Sequence, residues 1–248
     1  MLLILPPSET KRDGGAEGTS LEVEALSFPS LTKTRRTALA ALRKLSRNLA
    51  AANAALGLGP NGRAEIERNR AVTSSPVMPA LERYTGVLYD ALDASTLTPE
   101  ARRRAGEHVV VASALFGLLG ADDPIPAYRL SHDSKLPEVR IAQLWKQPVA
   151  DVLAATPGLM LDLRSESYVK LGPAPQRDDV FYVRVVSVGK DGRKRALNHF
   201  NKKGKGEFVR ALLESGTVTD DVDQLIAWAA TAGIELRIVE PGVLELTV

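Results

Sequence analysis

The chain has 248 residues, 44% of them hydrophobic and 25% charged, which excludes a disordered chain and is length enough for a sizeable core. It has no cysteine, and its three histidines, His108, His132 and His199, are scattered; disulfides, thiolate metal sites and cysteine nucleophiles are excluded, and no transition-metal site is expected. The formal net charge is only +2 but is unevenly spread: six basic residues and no acid lie between Lys33 and Arg47, eight basic against two acidic between Gly189 and Arg210, and seven acidic against one basic from Ala211 to Val248. Two basic runs in a near-neutral chain point to a concentrated positive surface, although each run taken alone reads as a solvated face.

In chain order, Leu2 to Leu5 is a short buried strand stopped by Pro6-Pro7 and followed by a polar, glycine-rich loop from Ser8 to Gly18. The apolar run is four residues long after Met1 and has no basic leader, so neither a signal peptide nor a membrane span is expected, and the cytoplasm is the default location. Alanine-rich sequence from Leu31 to about Leu56 predicts a helix that places Arg36, Arg43 and Arg47 on one face; "LGLGPNGR" ends it. A short helix follows near Ala64 to Arg70. Leu81, Tyr84, Leu88 and Leu92 repeat at helical spacing within Met78 to Leu92, despite Gly86, and Thr98-Pro99-Glu100 opens another helix.

The β-branched run at His108 to Leu119 predicts a buried strand entering a glycine-interrupted turn, followed by a proline-punctuated loop that delivers Tyr128 and Arg129. Gln143 to Ala155 reads as a helix, and Leu159 to Leu163 as a second short buried strand opening into the polar loop "RSESYVKLGPAP". Val180 to Val188 alternates as a strand, turns at "GKDG" and returns through Arg193 to Phe200 as a hairpin. Helices are expected at about Lys205 to Glu214 and Asp220 to Ala230, with Asp220 as N-cap, and "IELRIV", "EPG" and "VLELTV" make a C-terminal hairpin. The fold class is α/β to α+β, a single domain over residues 1–248 with a mixed sheet, β-hairpins and surrounding helices.

Motifs with a mechanism are mostly absent. "KKGKGE" has neither the spacing nor the hydroxyl of a P-loop, and "GLG" at Gly57 to Gly59 ends a helix rather than opening one after a strand. Ser113 lies in "VASAL" rather than GxSxG and reads as a buried hydroxyl satisfying the backbone; Asp122 and Asp123 read as turn formers. What remains is a set of polar residues at strand and hairpin exits: Lys11, Arg129, Ser165, Tyr168, Lys170 and the cluster Lys202, Lys203 and Lys205 beside Gly204 and Gly206. Amines, hydroxyls and a helix N-terminus beside those glycines form an anion-binding inventory.

These same residues sit in "YTGVLYDAL" (84–92), "SALFGLL…D.I..YRL" (113–130), "LRSESYVK" (163–170) and "F.KKGKG…R" (200–210), and together with the initial "LILPPSETK" they resemble the YaaA peroxide-stress family over nearly the whole chain. The resemblance implies a single domain of the cantaloupe fold, a positively charged cleft, binding of duplex and branched DNA without sequence preference, and protection during hydrogen-peroxide stress. It implies motif positions Lys11, Ser113, Gly117, Asp123, Tyr128, Arg129, Ser165, Tyr168, Lys170, Lys203, Lys205 and Arg210. Of these, Lys11, Arg129, Lys170, Lys203, Lys205 and Arg210, with Lys202, are the candidate phosphate ligands, and Ser113, Asp123, Tyr128, Ser165 and Tyr168 line the cleft.

The sequence departs from the family at Ala51, where a helix–hairpin–helix glycine is expected, so the hairpin is either absent or moved to Gly57 and Gly59. It departs again at "GADDP", in place of an Arg-Pro pair. No cofactor and no metal are expected. Whether the chain catalyses anything is open: the alternative to DNA binding is an enzyme acting on a small phosphorylated or carboxylated substrate, with Lys170 or Lys203 as anion holder or base and Ser165 or Tyr168 as hydroxyl partner. A small anionic ligand is thus a second possible partner, and no membrane partner is expected.

Overall fold

A computed structural model of the chain describes residues 1–59, 62–188, 194–195 and 198–248. The fold is a mixed α/β single domain, as expected. The chain begins with β1 (Leu2–Leu5), all four side chains buried, and after a long loop enters α1 (Thr32–Ser46), α2 (Leu49–Leu56) and α3 (Arg63–Arg70). The single helix expected from Leu31 to Leu56 is two: Arg47 closes α1 and the Asn48 side chain accepts a hydrogen bond from Ala51 N as the N-cap of α2.

Two-residue β2 (Met78–Pro79) leads to α4 (Ala80–Arg83) and α5 (Val87–Leu92). The expected helix across Met78 to Leu92 is broken at Tyr84 to Gly86, because Gly86 sits at φ 99°, outside the helical region. Next come α6 (Pro99–His108), β3 (Val109–Ser113), β4 (Gly117–Gly120) and β5 (Pro124–Ile125), which pairs with β2. They are followed by α7 (Ile141–Ala155), β6 (Met160–Asp162) and the one-turn α8 (Glu166–Val169).

The last third holds β7 (Val180–Val188), β8 (Lys194–Arg195), α9 (Asn198–Ser215), α10 (Val222–Thr231), β9 (Glu235–Glu240) and β10 (Val243–Thr247). The C-terminal hairpin is as read, with β9 and β10 antiparallel. The hairpin from β7 is shorter than expected. Its turn at Gly189 to Gly192 lies outside the described residues, β8 pairs only with Ser187 and Val188, and α9 already starts at Asn198. Lys202 to Gly206 is therefore helix interior, neither a loop nor a helix N-terminus. The N-cap of α10 is Asp221 rather than Asp220, whose Oδ1 instead accepts from the Met1 amine at 2.7 Å and Leu159 N at 3.2 Å.

The sheet runs β4-β3-β1-β6-β7-β10-β9, with β3, β1, β6, β7 and β10 parallel and the two outer strands antiparallel to their neighbours. The continuous apolar runs of β1 and β3 suit parallel strands covered on both faces. At the β4 edge, fully buried Arg35 of α1 donates to Phe116 O at 3.0 Å and Leu118 O at 2.7 Å, so this edge shows satisfied carbonyls. From β1 the chain crosses to β3 on one side and later to β6 on the other. Strand order thus reverses at β1, where open α/β sheets put their binding crevices, beyond the carboxyl ends of the strands.

Candidate functional site

The carboxyl ends of β1, β3 and β6 lie on one edge of the sheet because the three strands are parallel. They deliver the loop Pro6 to Lys11, the turn Ser113 to Phe116 and the segment Leu163 to Lys170 to one side of the molecule. There an open cleft of about 1940 Å³ is bounded by the loop after β1, the start of α5, the segment after β6, strand β7 and the first turns of α9.

Lys11 anchors the loop after β1. Its Nζ donates to Ser8 O at 3.0 Å and Glu9 O at 3.3 Å and lies 4.1 Å from the Tyr128 ring centre and 5.1 Å from that of Tyr84. Burial, reinforced by the nearby Arg129 guanidinium, lowers the amine to about 7. Tyr84 OH and Tyr128 OH are 2.7 Å apart, and Tyr128 OH is 2.8 Å from Ser113 Oγ. Ser113 Oγ already accepts from Leu115 N and Phe116 N, which uses both of its lone pairs. Its proton therefore goes to Tyr128, and that of Tyr128 to Tyr84. Burial raises both tyrosines above their ordinary range, so both remain neutral hydroxyls.

Across the cleft, Lys205 reaches from α9 to Leu163 O at 2.9 Å, with the Tyr182 ring centre 5.6 Å from its Nζ. Burial lowers this amine to about 8, opposed by the charge of Asp162. Asp162 is itself held by buried Arg164 through Nε at 2.8 Å and Nη2 at 2.6 Å, a pair that fixes the exit of β6.

The residues expected at the site separate into groups. Lys170, Ser165, Tyr168, Lys202 and Lys205 line the cleft, and Lys170, Ser165 and Lys202 are exposed. Tyr168 packs edge-on against His132 with ring centres 5.3 Å apart. Lys11, Ser113 and Tyr128 are buried behind the loop after β1. Arg129 is paired with Glu9 at 2.6 Å, Lys203 with Glu207 at 3.1 Å, and Arg210 with Glu214 at 2.7 Å; Arg210 also donates to Leu92 O and Asp93 O. Asp123 is buried and accepts from Ser27 N, Ser27 Oγ and Gly120 N.

Sequence reasoning missed Tyr182, Thr85 and the Asp162–Arg164 pair. The one available signal was a charged pair spaced i, i+2 at the end of a short apolar strand. The charge of the cleft is mixed: Glu9, Asp162, Glu166 and Asp178 share its wall with the basic residues, Arg177 is paired with Asp179, and Arg184 with Glu240. Lys170 and Lys202 make no ion pair among the described residues. Gly57 closes α2 at φ 62°, in the left-handed conformation.

A family model described as peroxide stress protein YaaA matches residues 1–233. The chain is 45% identical over 240 residues to a UPF0246 protein of Corynebacterium glutamicum, covering 94% of both chains. It is 38% identical to one of Streptomyces coelicolor, covering 98% of this chain and 94% of the relative, and 27% identical to one of Polynucleobacter asymbioticus, at 90% and 89%. No helix among the described residues is long and apolar enough to cross a membrane.

Proposed function

The chain belongs to the peroxide stress protein YaaA family, and on that premise we propose that it is a DNA-binding protein of the hydrogen-peroxide response, gripping phosphates of duplex or branched DNA without reading bases. The observation that carries this reading is the cleft itself. At about 1940 Å³ it exceeds the roughly 300–1,000 Å³ of small-molecule sites, it is open, and two amines on its wall, Lys170 and Lys202, are exposed and free of ion pairs among the described residues. The left-handed Gly57 at the end of α2 adds support, since Gly57 is one of the two glycines to which the hairpin missing its glycine at Ala51 would move.

The test is equilibrium binding of a duplex across a salt series. The Lys170→Ala/Lys202→Ala double variant is expected to bind more weakly, with the slope of log K against log salt reduced by roughly 2. Unchanged affinity and slope would remove the cleft from the DNA interface. Lys203, which the sequence placed in this set, is expected to contribute little, because Glu207 neutralises it.

A second reading has its own observation. An amine lowered to about 7 beside a chain of buried hydroxyls, Ser113 to Tyr128 to Tyr84, is an arrangement suited to proton transfer on a small substrate. Lys11 is buried, however, and reaches no cleft surface except through the Ser8–Thr10 loop it holds. The DNA reading is therefore placed first.

A further inference from the structure

Lys205 is used differently from every other lysine on the cleft. It is 6% exposed, yet it lines the cleft, and among the described residues its ammonium makes one hydrogen bond, to Leu163 O, and one distant contact with the Tyr182 ring. An ammonium carries three donors, so two remain for the cleft. The carboxylate whose charge acts on it, Asp162, is held by Arg164. One turn earlier on α9, Asn201 also lines the cleft, and its buried Oδ1 has no hydrogen-bond partner among the described residues. A buried acceptor left in this way carries an unrecovered desolvation cost, and a ligand that brings a donor removes that cost.

Lys202, on the same face of α9, and Lys170 stand exposed on the cleft wall. The wall thus grades from exposed amines to a buried one. A duplex presents its phosphates as monoanions on a convex cylinder, flanked by sugar on both sides, and such a phosphate is stopped by Lys170 and Lys202. A phosphate at a chain end is narrower, carries close to two charges at neutral pH and offers three strong acceptor oxygens. Burial lowers the Lys205 amine to about 8, and a dianion beside it is the partner that keeps it charged.

We propose that Lys205 and Asn201 form a subsite for a terminal phosphomonoester next to a hydrogen-bond donor, the chemistry shared by a phosphorylated strand end and a free nucleoside monophosphate. The subsite rests on the cleft being a binding site and does not require that duplex DNA bind there.

Calorimetric titration of the full chain tests it with matched pairs: thymidine 5′-monophosphate against thymidine, and a 5′-phosphoryl single strand against its 5′-hydroxyl twin, with a closed circular duplex as the probe without ends. The phosphorylated member of at least one pair is expected to bind roughly tenfold tighter. Preference in the strand pair alone identifies a strand end as the source, and preference in the nucleotide pair alone a small ligand. Lys205→Met is expected to abolish the preference and Lys205→Arg to retain most of it. If the wild type distinguishes neither pair, or if folded Lys205→Met keeps the preference, the subsite does not exist; because the wild-type comparison needs no variant, a misfolded one leaves the test intact. Loss of circle binding with the preference intact would sink the duplex reading and support this one.

Discussion

A lysine whose amine donates to two carbonyls of its own loop, over two tyrosine rings, is held in place whether or not it is charged, since a neutral amine keeps two N–H donors. The charge itself is therefore the costly part of Lys11. Its folded value of about 7 lies below the ordinary 10.5, so between those limits the unfolded chain binds a proton that the folded chain has released. Stability then rises with pH across that window, and below about 7 the cost of the buried cation is fully present. The urea midpoint of the wild type minus that of Lys11→Met is expected to climb between pH 7 and pH 10, by an amount on the order of a few kcal/mol in stability. A flat difference would put the amine in water. The sequence placed Lys11 at a strand exit correctly but carried no sign of its burial, because the tyrosines that cover it come from residues 84 and 128, far along the chain.

Helix α9 shows the same limit at the level of an element. Three lysines and two glycines within five residues have the local character of a turn, and reading them as a loop follows from propensity alone. The glycines have a non-local purpose. A Cβ on Gly206 would stand 2.2 Å from Leu88 O of α5 and one on Gly204 2.5 Å from Val248 Cγ1, so the two positions let α9 lie directly on α5 and the C-terminus. Gly206→Ala is accordingly expected to destabilise by about 1–3 kcal/mol, against the gain of about 1 kcal/mol that alanine brings to an ordinary helix interior. Chemical denaturation settles the sign, and a more stable Gly206→Ala protein would mean that the helices do not touch there. By contrast, β1, β7, α7 and the C-terminal hairpin were legible from pattern alone, since each buries one apolar run with a period of its own. The breaks at Asn48 and Gly86 were not, because a cap and a left-handed residue cut a periodicity that continues across them.

Over the whole molecule, several cations of the two basic runs are spent on the fold among the described residues. In the first run, Arg35 is buried against β4, Arg36 pairs with Glu24 and Lys44 with Glu138, leaving Lys33, Arg43 and Arg47 exposed without an ion pair among the described residues. In α9, Lys205 is buried and Lys203 and Arg210 are paired, leaving Lys202. A count of lysines and arginines therefore overstates the electrostatic footprint, and if the chain binds DNA as proposed, the salt dependence follows the free cations. Arg43 lies on α1 and Arg47 at its end, just before α2, whereas Lys170 and Lys202 lie on the cleft, and the two pairs share no side-chain partner among the described residues. Their effects should add. If one DNA duplex spans both patches, Arg43→Ala/Arg47→Ala and Lys170→Ala/Lys202→Ala each lower the salt slope by roughly 2 and the quadruple variant lowers it by roughly 4. A slope that responds only to the cleft pair confines the DNA to the carboxyl ends of the strands, and one that responds only to the arginines moves the interface to α1 and α2, leaving the cleft to the phosphomonoester alone.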